Sequence, residues 1–365
     1  MKFTISKGAL VEKLNLLPSL PNNIVPILNC IKIDAGDNLV LTATDLVVLT
    51  RIITSATIKE KGIACVPLRN FISLVKEMPD GDLTIETTKA QLHVKSEKVK
   101  LRMNIFEAEQ FPQFENEKAT DFVLPIEAAL LVEHLASSSI AMGVTVGFDI
   151  NGMLLDISTA DGVRFVSTDG KRLAFSRYPL SKEAKVQDSR YVLPARVVGE
   201  FAKAAKHFGA KVALGFSKGF ISLQASRPDE SIFIRTLLLE DKYPNYMSFI
   251  PKESESKVLV NRREFIASLN RSNVLTNETD NPLKVKLSTN KLELNRRNAN
   301  VGDIEDNLEV TYSGKEMQVG FEVKCILDVL NILTDEQVAV EITGPDTPFV
   351  IRKKDYLYLA LPIIL

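Results

Sequence analysis

Six segments of the chain share one pattern, in which a short run of alternating apolar residues leads into an amphipathic helix. Within each segment the apolar period changes from two residues to about 3.6, which predicts a strand followed directly by a helix. The first, third and fifth segments are KFTISKGALVEKL (2–14), DFVLPIEAALLVEHL (121–135) and KVLVNRREFIASL (257–269). They alternate with ACVPLRNFISLVKEM (64–78), RYVLPARVVGEFAKAA (190–205) and MQVGFEVKCILDVLNIL (317–333). This order predicts one unit repeated three times.

The stretches between the helices predict antiparallel β-structure. Runs such as LVLTATDLVVLTRI (39–52) and MLLDISTADGVRFVSTDGKRLAFSR (153–177) alternate apolar and polar residues. We therefore predict an α+β fold of three tandem similar domains, each with two helices packed on antiparallel sheets. Polar, turn-rich segments at 114–121 and 249–257 place the domains at residues 1–118, 119–248 and 249–365.

Charge and cysteine content restrict the class of protein only partly. The 45 basic and 46 acidic residues give a net charge of −1, which is not typical of a protein that coats DNA. The distribution of charge between faces matters more than the sum. No stretch approaches the roughly 20 apolar residues of a membrane helix, and no signal-peptide pattern occurs at the N-terminus. Three widely spaced cysteines favour a reducing, cytoplasmic location over disulfides.

A search for catalytic motifs finds little. The three histidines, His93, His134 and His207, are isolated, and neither HExxH nor a phosphate-binding GxxxxGK[ST] loop occurs. GxSxG and GxGxxG are absent as well. We therefore predict no catalytic residues, no metal and no cofactor. An enzyme with a carboxylate pair scattered along the chain stays open as an alternative, since acidic residues are abundant.

Short segments along the whole chain carry a resemblance to a known family. They include PILNCIKI (26–33), LVLTATDL (39–46), VSTDGKRLAFSR (166–177), VTYSGKEMQVGF (310–321) and LALPIIL (359–365). In this order and spacing, and with three repeats, the sequence resembles the bacterial sliding clamps, the beta subunits of the DNA polymerase III holoenzyme.

The resemblance implies a DNA-clamp fold and a processivity factor without catalytic activity. Two subunits of such a clamp join head to tail into a six-domain ring around duplex DNA, without sequence preference. The implied partners are the replicative polymerase subunit, the clamp loader and other proteins that carry a clamp-binding motif. The alternative is a tandem-repeat scaffold that binds proteins but does not encircle DNA.

Basic residues opposite the apolar stripe of three helices are the candidates for DNA contact. Sequence-independent binding needs cations near phosphates rather than base-specific contacts. Each of these residues could also belong to an ordinary solvated surface. The candidates are Arg69, Lys76, Arg196, Lys203, Lys206 and Arg263.

The resemblance also implies a peptide-binding pocket and a dimer seam. The matching pocket positions are Ile150, Gly152, Thr168, Gly170, Lys171, Arg172, Leu173, Pro244, Ser248, Phe249, Glu322, Cys325, Leu359, Leu361, Pro362, Ile363, Ile364 and Leu365. Lys171, Ser248, Glu322 and Cys325 depart from the residues common in the family, so the preferred peptide could differ. The seam positions are Leu101, Met103, Val274 and Leu275.

The apolar segment at 356–365 has its own expected structure. We expect residues 356–361 to form the last strand and Pro362 to end it, because proline has no N–H for the ladder. Ile363, Ile364 and Leu365 would then lie beside the pocket, where a peptide covers them. Arg172 is expected to hydrogen-bond that peptide.

Overall fold

A computed structural model describes residues 1–18, 25–114, 120–143, 151–181, 184–239, 243–254, 256–275 and 282–365. The chain divides into two compact units. Unit 1 consists of Met1–Val132, Lys182–Val186 and Arg196–Leu239, and unit 2 of Glu133–Ser181, Gln187–Ala195 and Glu240–Leu365. No helix in the described ranges is long and apolar enough to cross a membrane.

All six predicted strand–helix segments are confirmed. In chain order they are β1 (Lys2–Ser6) with α1 (Lys7–Leu14), β6 (Gly62–Pro67) with α2 (Leu68–Lys76), β10 (Phe122–Glu127) with α3 (Ala128–Ser139), β14 (Ser189–Pro194) with α4 (Ala195–Phe208), β18 (Lys257–Asn261) with α5 (Arg262–Asn273), and β22 (Met317–Phe321) with α6 (Val323–Ile332).

Polar side chains at the junctions help two of these helices to begin. Ser6 accepts a hydrogen bond from the N–H of Ala9 at 3.3 Å, and Asn261 accepts from two N–H groups at the start of α5. The first N–H groups of a helix have no partner within it, so a side-chain acceptor at this position stabilises the helix start.

Unit 1 contains two antiparallel sheets. One has the order β5-β1-β7-β8-β9 and the other the order β10-β15-β16-β17-β4-β3-β2-β6. The strands not yet given are β2 (Cys30–Ala35), β3 (Leu39–Thr44), β4 (Val48–Thr54), β5 (Thr57–Glu60), β7 (Asp82–Thr87), β8 (Gln91–Lys95), β9 (Lys100–Asn104), β15 (Lys211–Phe216), β16 (Phe220–Arg227) and β17 (Glu230–Leu237).

Unit 2 repeats this arrangement. Its sheets have the orders β14-β11-β12-β13-β25-β24-β23-β18 and β21-β20-β19-β22. The remaining strands are β11 (Gly152–Ser158), β12 (Gly162–Thr168), β13 (Arg172–Tyr178), β19 (Leu283–Ser288), β20 (Lys291–Asn298), β21 (Gly302–Glu309), β23 (Gln337–Glu341), β24 (Phe349–Lys353) and β25 (Tyr356–Ala360).

Each eight-stranded sheet joins strands from two of the predicted domains. In unit 1, β4 pairs with β17 along seven residue pairs, and in unit 2, β13 pairs with β25 along five. The two compact units therefore differ from the three predicted domains, because continuous sheets cross the predicted boundaries. The boundaries at 118 and 248 stay a prediction.

The last strand is shorter than expected. β25 ends at Ala360, one residue before the predicted end at Leu361. Leu361 N–H donates to the carbonyl of Lys171 at 2.8 Å, and Ile363 N–H donates to the carbonyl of Gly320 in β22 at 2.8 Å. Pro362 lies between these two bonds and has no N–H to donate. The segment after β25 is therefore fixed against β22.

Candidate functional site

The candidate pocket in unit 2 is built on the turn between β12 and β13, residues 168–173, which we call the pocket turn. Thr168 Oγ1 donates to the carbonyl of Arg172 at 2.7 Å and accepts from Gly170 N–H at 3.2 Å. Asp169 Oδ1 accepts from two backbone N–H groups at 3.0 Å each. Gly170 has φ 86°, a left-handed conformation that glycine adopts without a steric penalty. The sequence TDGKRL therefore specifies the turn locally.

Arg172 links this turn to helix α6. Its Nε donates to Asp169 Oδ2 at 2.9 Å and a terminal nitrogen donates to Asp328 Oδ2 at 2.6 Å. Burial lowers the pKa of Arg172, but hydrogen bonds to Asp328 and Asp169 outweigh burial and raise the pKa above its usual value. These two nitrogens are bound to carboxylates, and the expected hydrogen bond from Arg172 to a peptide stays a prediction. The side chain holds the turn against α6.

The pocket itself is an apolar cavity of about 260 Å³. Nine predicted residues line it: Thr168, Gly170, Lys171, Arg172, Leu173, Pro244, Phe249, Leu359 and Leu361. Phe249 is 62% exposed and Leu361 is 49% exposed, so the cavity opens onto uncovered apolar surface. Leu173 and Leu359 are buried and form part of its base. A cavity of this kind, apolar with a few polar groups, is typical of a binding site.

Sequence reasoning missed three lining residues, Tyr246, Pro251 and Pro348. Tyr246 is fully buried, and its hydroxyl donates to Asp156 at 2.6 Å and accepts from Arg164 at 3.2 Å. Burial raises the pKa of Tyr246 to about 12. The tyrosine stands in the segment YPNY (243–246) beside the predicted Pro244, which was a usable signal. Pro251 lies in the nearby segment PKE (251–253), whereas nothing in the sequence pointed to Pro348.

The other predicted pocket residues do not line the cavity. Gly152 is buried in β11, and the hydroxyl of Ser248 donates to the carbonyl of Asn245 at 2.7 Å. Cys325 is buried, which raises the pKa of its thiol to about 12, whereas Glu322 is exposed. Ile150 lies outside the described residues. The lining also lacks Pro362, Ile363, Ile364 and Leu365.

The segment 363–365 packs on β22 instead of the pocket. A Cβ added to Gly320 would lie 2.6 Å from the carbonyl oxygen of Ile363 and 2.8 Å from Leu365 Cδ2. The glycine thus permits the close approach of this segment. Ile364 is 90% exposed and Leu365 is 52% exposed, so the segment still presents apolar surface.

The predicted DNA-contact residues are all exposed, on α2, α4 and α5. Arg196 donates to Asp45 Oδ2 at 2.7 Å, and Lys203 donates to Glu200 at 3.0 Å. Within the described part of the chain, no carboxylate forms an ion pair with the remaining four, which are Arg69, Lys76, Lys206 and Arg263. These four cations are consequently the most available for an anionic partner.

The predicted seam residues occupy two places in the fold. Leu101 is half-buried and Met103 is buried, both in β9, which is an edge strand of its sheet. Val274 is 77% exposed and Leu275 half-buried, directly after α5. In the same unit as α5, β21 is also an edge strand. Unpaired edges of this kind favour pairing with another chain.

Six repeated strand–helix elements, continuous sheets that each join two of the predicted domains, and an apolar pocket are the features of a DNA clamp. Family models for the N-terminal, central and C-terminal domains of the DNA polymerase III beta subunit match residues 1–115, 117–245 and 247–363. The chain belongs to this family. Its function is accordingly that of a sliding clamp, the processivity factor of a DNA polymerase, and it is an accessory subunit of that enzyme.

Individual relatives support the assignment along the full length. The beta sliding clamp of Chlamydia pneumoniae is 29% identical over 372 residues, which cover 100% of this chain and 99% of the relative. That of Pseudomonas putida is 27% identical with full coverage of both. A solved sliding clamp from Pseudomonas aeruginosa is 25% identical with TM-score 0.89, again with full coverage of both chains. The clamp of Bartonella birtlesii, 22% identical with TM-score 0.93 and full coverage, shares the fold.

Proposed function

We propose that two copies of this chain join head to tail into a six-domain ring that encircles duplex DNA. The edge strand β9 would pair with an edge near β21 of the partner, and Leu101, Met103, Val274 and Leu275 would contribute the apolar contact. Head-to-tail closure covers both edges through two equivalent interfaces. Val274 is 77% exposed, so among these four residues its side chain would lose the largest share of its contact with water at the seam.

The ring would hold DNA through electrostatic attraction without base contacts. Arg69, Lys76, Lys206 and Arg263 have the most available charge, whereas Arg196 and Lys203 already pair with carboxylates. Exposed charges are screened beyond about 8 Å at physiological salt, so affinity for linear DNA should be weak and salt-sensitive. Tethering then depends on ring closure more than on affinity, and no catalytic step is required. The proposed place of action is the cytoplasm.

The unit 2 pocket would receive a short peptide of the replicative polymerase subunit, the clamp loader or another partner. The observation that carries this proposal is the apolar cavity of about 260 Å³ with Phe249 and Leu361 uncovered at its mouth. Burying each apolar anchor contributes roughly 1.5–3 kcal/mol, which can offset the ordering of an extended peptide. Lys171, also in the lining, adds a cation at the rim.

Processive synthesis by the cognate DNA polymerase III tests the proposal. We expect the protein, loaded on primed circular DNA, to lengthen the product made in one binding event. Phe249→Ala and Leu361→Ala should each remove most of that gain, and Val123→Ala, an exposed apolar residue outside the pocket lining and the seam, should not. A scaffold that does not encircle DNA would give no gain with any variant.

A further inference from the structure

A turn in unit 1 shares most of the hydrogen bonds of the pocket turn in unit 2. This second turn, residues 44–49, joins β3 to β4. Leu46 N–H donates to Thr44 Oγ1 at 3.0 Å, and Asp45 Oδ1 accepts from two backbone N–H groups at 3.0 and 2.7 Å. The backbone N–H of Asp45 donates across the turn to a carbonyl at 3.2 Å, as Asp169 N–H does at 3.3 Å in the pocket turn.

The strand beside each turn is equivalent too. Leu237 N–H donates to the carbonyl of Val47 at 2.9 Å, just as Leu361 N–H donates to that of Lys171 at 2.8 Å. The strand register agrees, since Leu49 faces Arg235 and Leu173 faces Leu359. The positions of the pocket residues Thr168, Gly170, Lys171, Leu173, Leu359 and Leu361 are therefore occupied in unit 1 by Thr44, Leu46, Val47, Leu49, Arg235 and Leu237.

The unit 1 turn presents an uncovered apolar trio. Leu46 is 54% exposed, Leu237 is 42% exposed and Val47 is 37% exposed. Leu46 also has φ 75°, in the left-handed region that strains a leucine, and the equivalent position in unit 2 is a glycine. The fold gains little from a leucine that stays half exposed, and a glycine would adopt this conformation without strain. Exposed apolar residues at a strained turn point to a partner that covers them.

The surface around the trio is basic. Arg235 lies 4.8 Å over the ring of Phe220, and within the described residues no carboxylate pairs with it. Lys218 is exposed in the turn whose Gly219 carbonyl accepts from Leu238 N–H at 3.1 Å. The carboxylate of Asp45 is already bound to Arg196 at 2.7 Å. The trio is thus bordered by positive charge that needs an acidic counterpart.

We infer that Thr44, Leu46, Val47, Leu49, Arg235 and Leu237 form a second docking site, which binds an extended peptide of a partner protein. The peptide carries an apolar side chain that covers the trio and an adjacent acidic residue that pairs with Arg235. The site is distinct from the pocket in unit 2, where a leucine replaces Arg235. An acidic residue beside the anchor therefore distinguishes the peptides that bind in unit 1.

Methyl NMR of the full-length protein, labelled at leucine and valine methyl groups, tests this site. The probe is a synthetic octapeptide, Ser-Gly-Asp-Leu-Leu-Gly-Ser-Ser, and its control has Asn in place of Asp. We expect saturable shifts at Leu46, Val47 and Leu237 that persist in Leu361→Asp, a variant impaired in the unit 2 pocket. Signals of Leu359 report on that pocket separately, so a failure of the proposed function there is distinguishable from a failure of this site.

Two variants complete the test. Leu46→Gly introduces the residue of the equivalent turn and relieves the left-handed strain, so it should fold and bind the probe roughly tenfold more weakly. Arg235→Leu should bind the Asp and Asn peptides equally. Shifts confined to unit 2, or unchanged binding by Leu46→Gly, would overturn the inference. Shifts of the trio with protein concentration alone would also overturn it, because a second copy would then be the occupant.

Discussion

Arg172 and Asp328 are 156 residues apart in the chain and form an ion pair of 2.6 Å beneath the candidate pocket. The arginine side chain is 10% exposed and also binds Asp169, so it connects the pocket turn to α6 from below. Loss of either carboxylate would leave a largely buried cation with fewer partners, which lowers the stability of the folded protein. The shape of the pocket therefore depends on a residue that does not line it.

Replacing Asp328 tests this dependence. We expect Asp328→Asn to lower the stability of unit 2 by about 1.5–3 kcal/mol, the contribution of a hydrogen bond to a charged group. Peptide affinity should fall as well, because the pocket turn loosens. Thermal unfolding and fluorescence polarisation with a labelled partner peptide measure both quantities. Glu336→Gln, at an exposed acid just after α6, is the matched control and should change neither. Unchanged peptide affinity in Asp328→Asn would show that the shape of the pocket does not depend on this ion pair.

Gly320 controls the position of the segment 363–365. An alanine Cβ would collide with the backbone carbonyl of Ile363, so we expect Gly320→Ala to break the Ile363 N–H bond. Hydrogen exchange of the Ile363 amide should accelerate, while peptide affinity stays within a factor of about two, since this segment does not line the pocket. A parallel loss of peptide binding would contradict that separation.

The control for this change is another glycine-to-alanine substitution. Gly199 lies inside α4, and apart from the nearby backbone of the helix itself no atom of the described residues lies within 4 Å of its potential Cβ. Gly199→Ala should raise stability by about 0.5–1 kcal/mol, because alanine is the better helix former. Destabilisation by Gly320→Ala together with stabilisation by Gly199→Ala would show that the close approach to Ile363 matters.

Local patterns predicted the helices and their preceding strands because the change of apolar period is contained within each segment. Pairing of β4 with β17 and of β13 with β25 was not predictable in this way, since it joins distant parts of the chain. The same reason applies at the site. TDGKRL specifies its own turn, but no local signal links Arg172 to Asp328 or Ile363 to Gly320. Pro348 lines the pocket only because tertiary packing places it there, so no local pattern could have predicted it.

A charged substitution in the proposed dimer seam should change the mass of the protein in solution. Leu275→Asp places a charge in the proposed apolar contact, where it would have to lose its hydration without a partner. We expect wild-type protein to elute with twice the chain mass of 40.5 kDa and the variant with that of one chain. Size-exclusion chromatography with light scattering measures this, and Val123→Asp, at an exposed valine outside the proposed seam, is the control. An intact Leu275→Asp dimer would exclude this seam.

His134 predicts a pH dependence of stability. Burial holds the pKa of His134 below its usual value, against the opposing carboxylates of Glu133 and Asp355. The folded chain therefore binds fewer protons than the unfolded chain, so stability is lost as the pH falls through the ordinary value of about 6.5. His134→Phe keeps the stacking on Phe165, seen at 5.3 Å, and removes the titration.

Thermal midpoints measured at about pH 7.5 and about pH 5.5, on either side of that ordinary pKa, provide the check. The midpoint of wild type should fall more on acidification than that of His134→Phe. His93→Gln, which removes a histidine from β8 in unit 1, should behave like wild type. Equal falls for wild type and His134→Phe would show that this titration contributes nothing.

Encirclement of DNA is the central claim, and retention on circular DNA tests it most directly. The protein is loaded onto a nicked plasmid by its cognate loader with ATP, and the bound fraction is measured before and after one restriction cut. We predict stable retention on the circle, at two chains per ring, and rapid loss once the DNA is linear. Equal retention on circular and linear DNA would contradict the account.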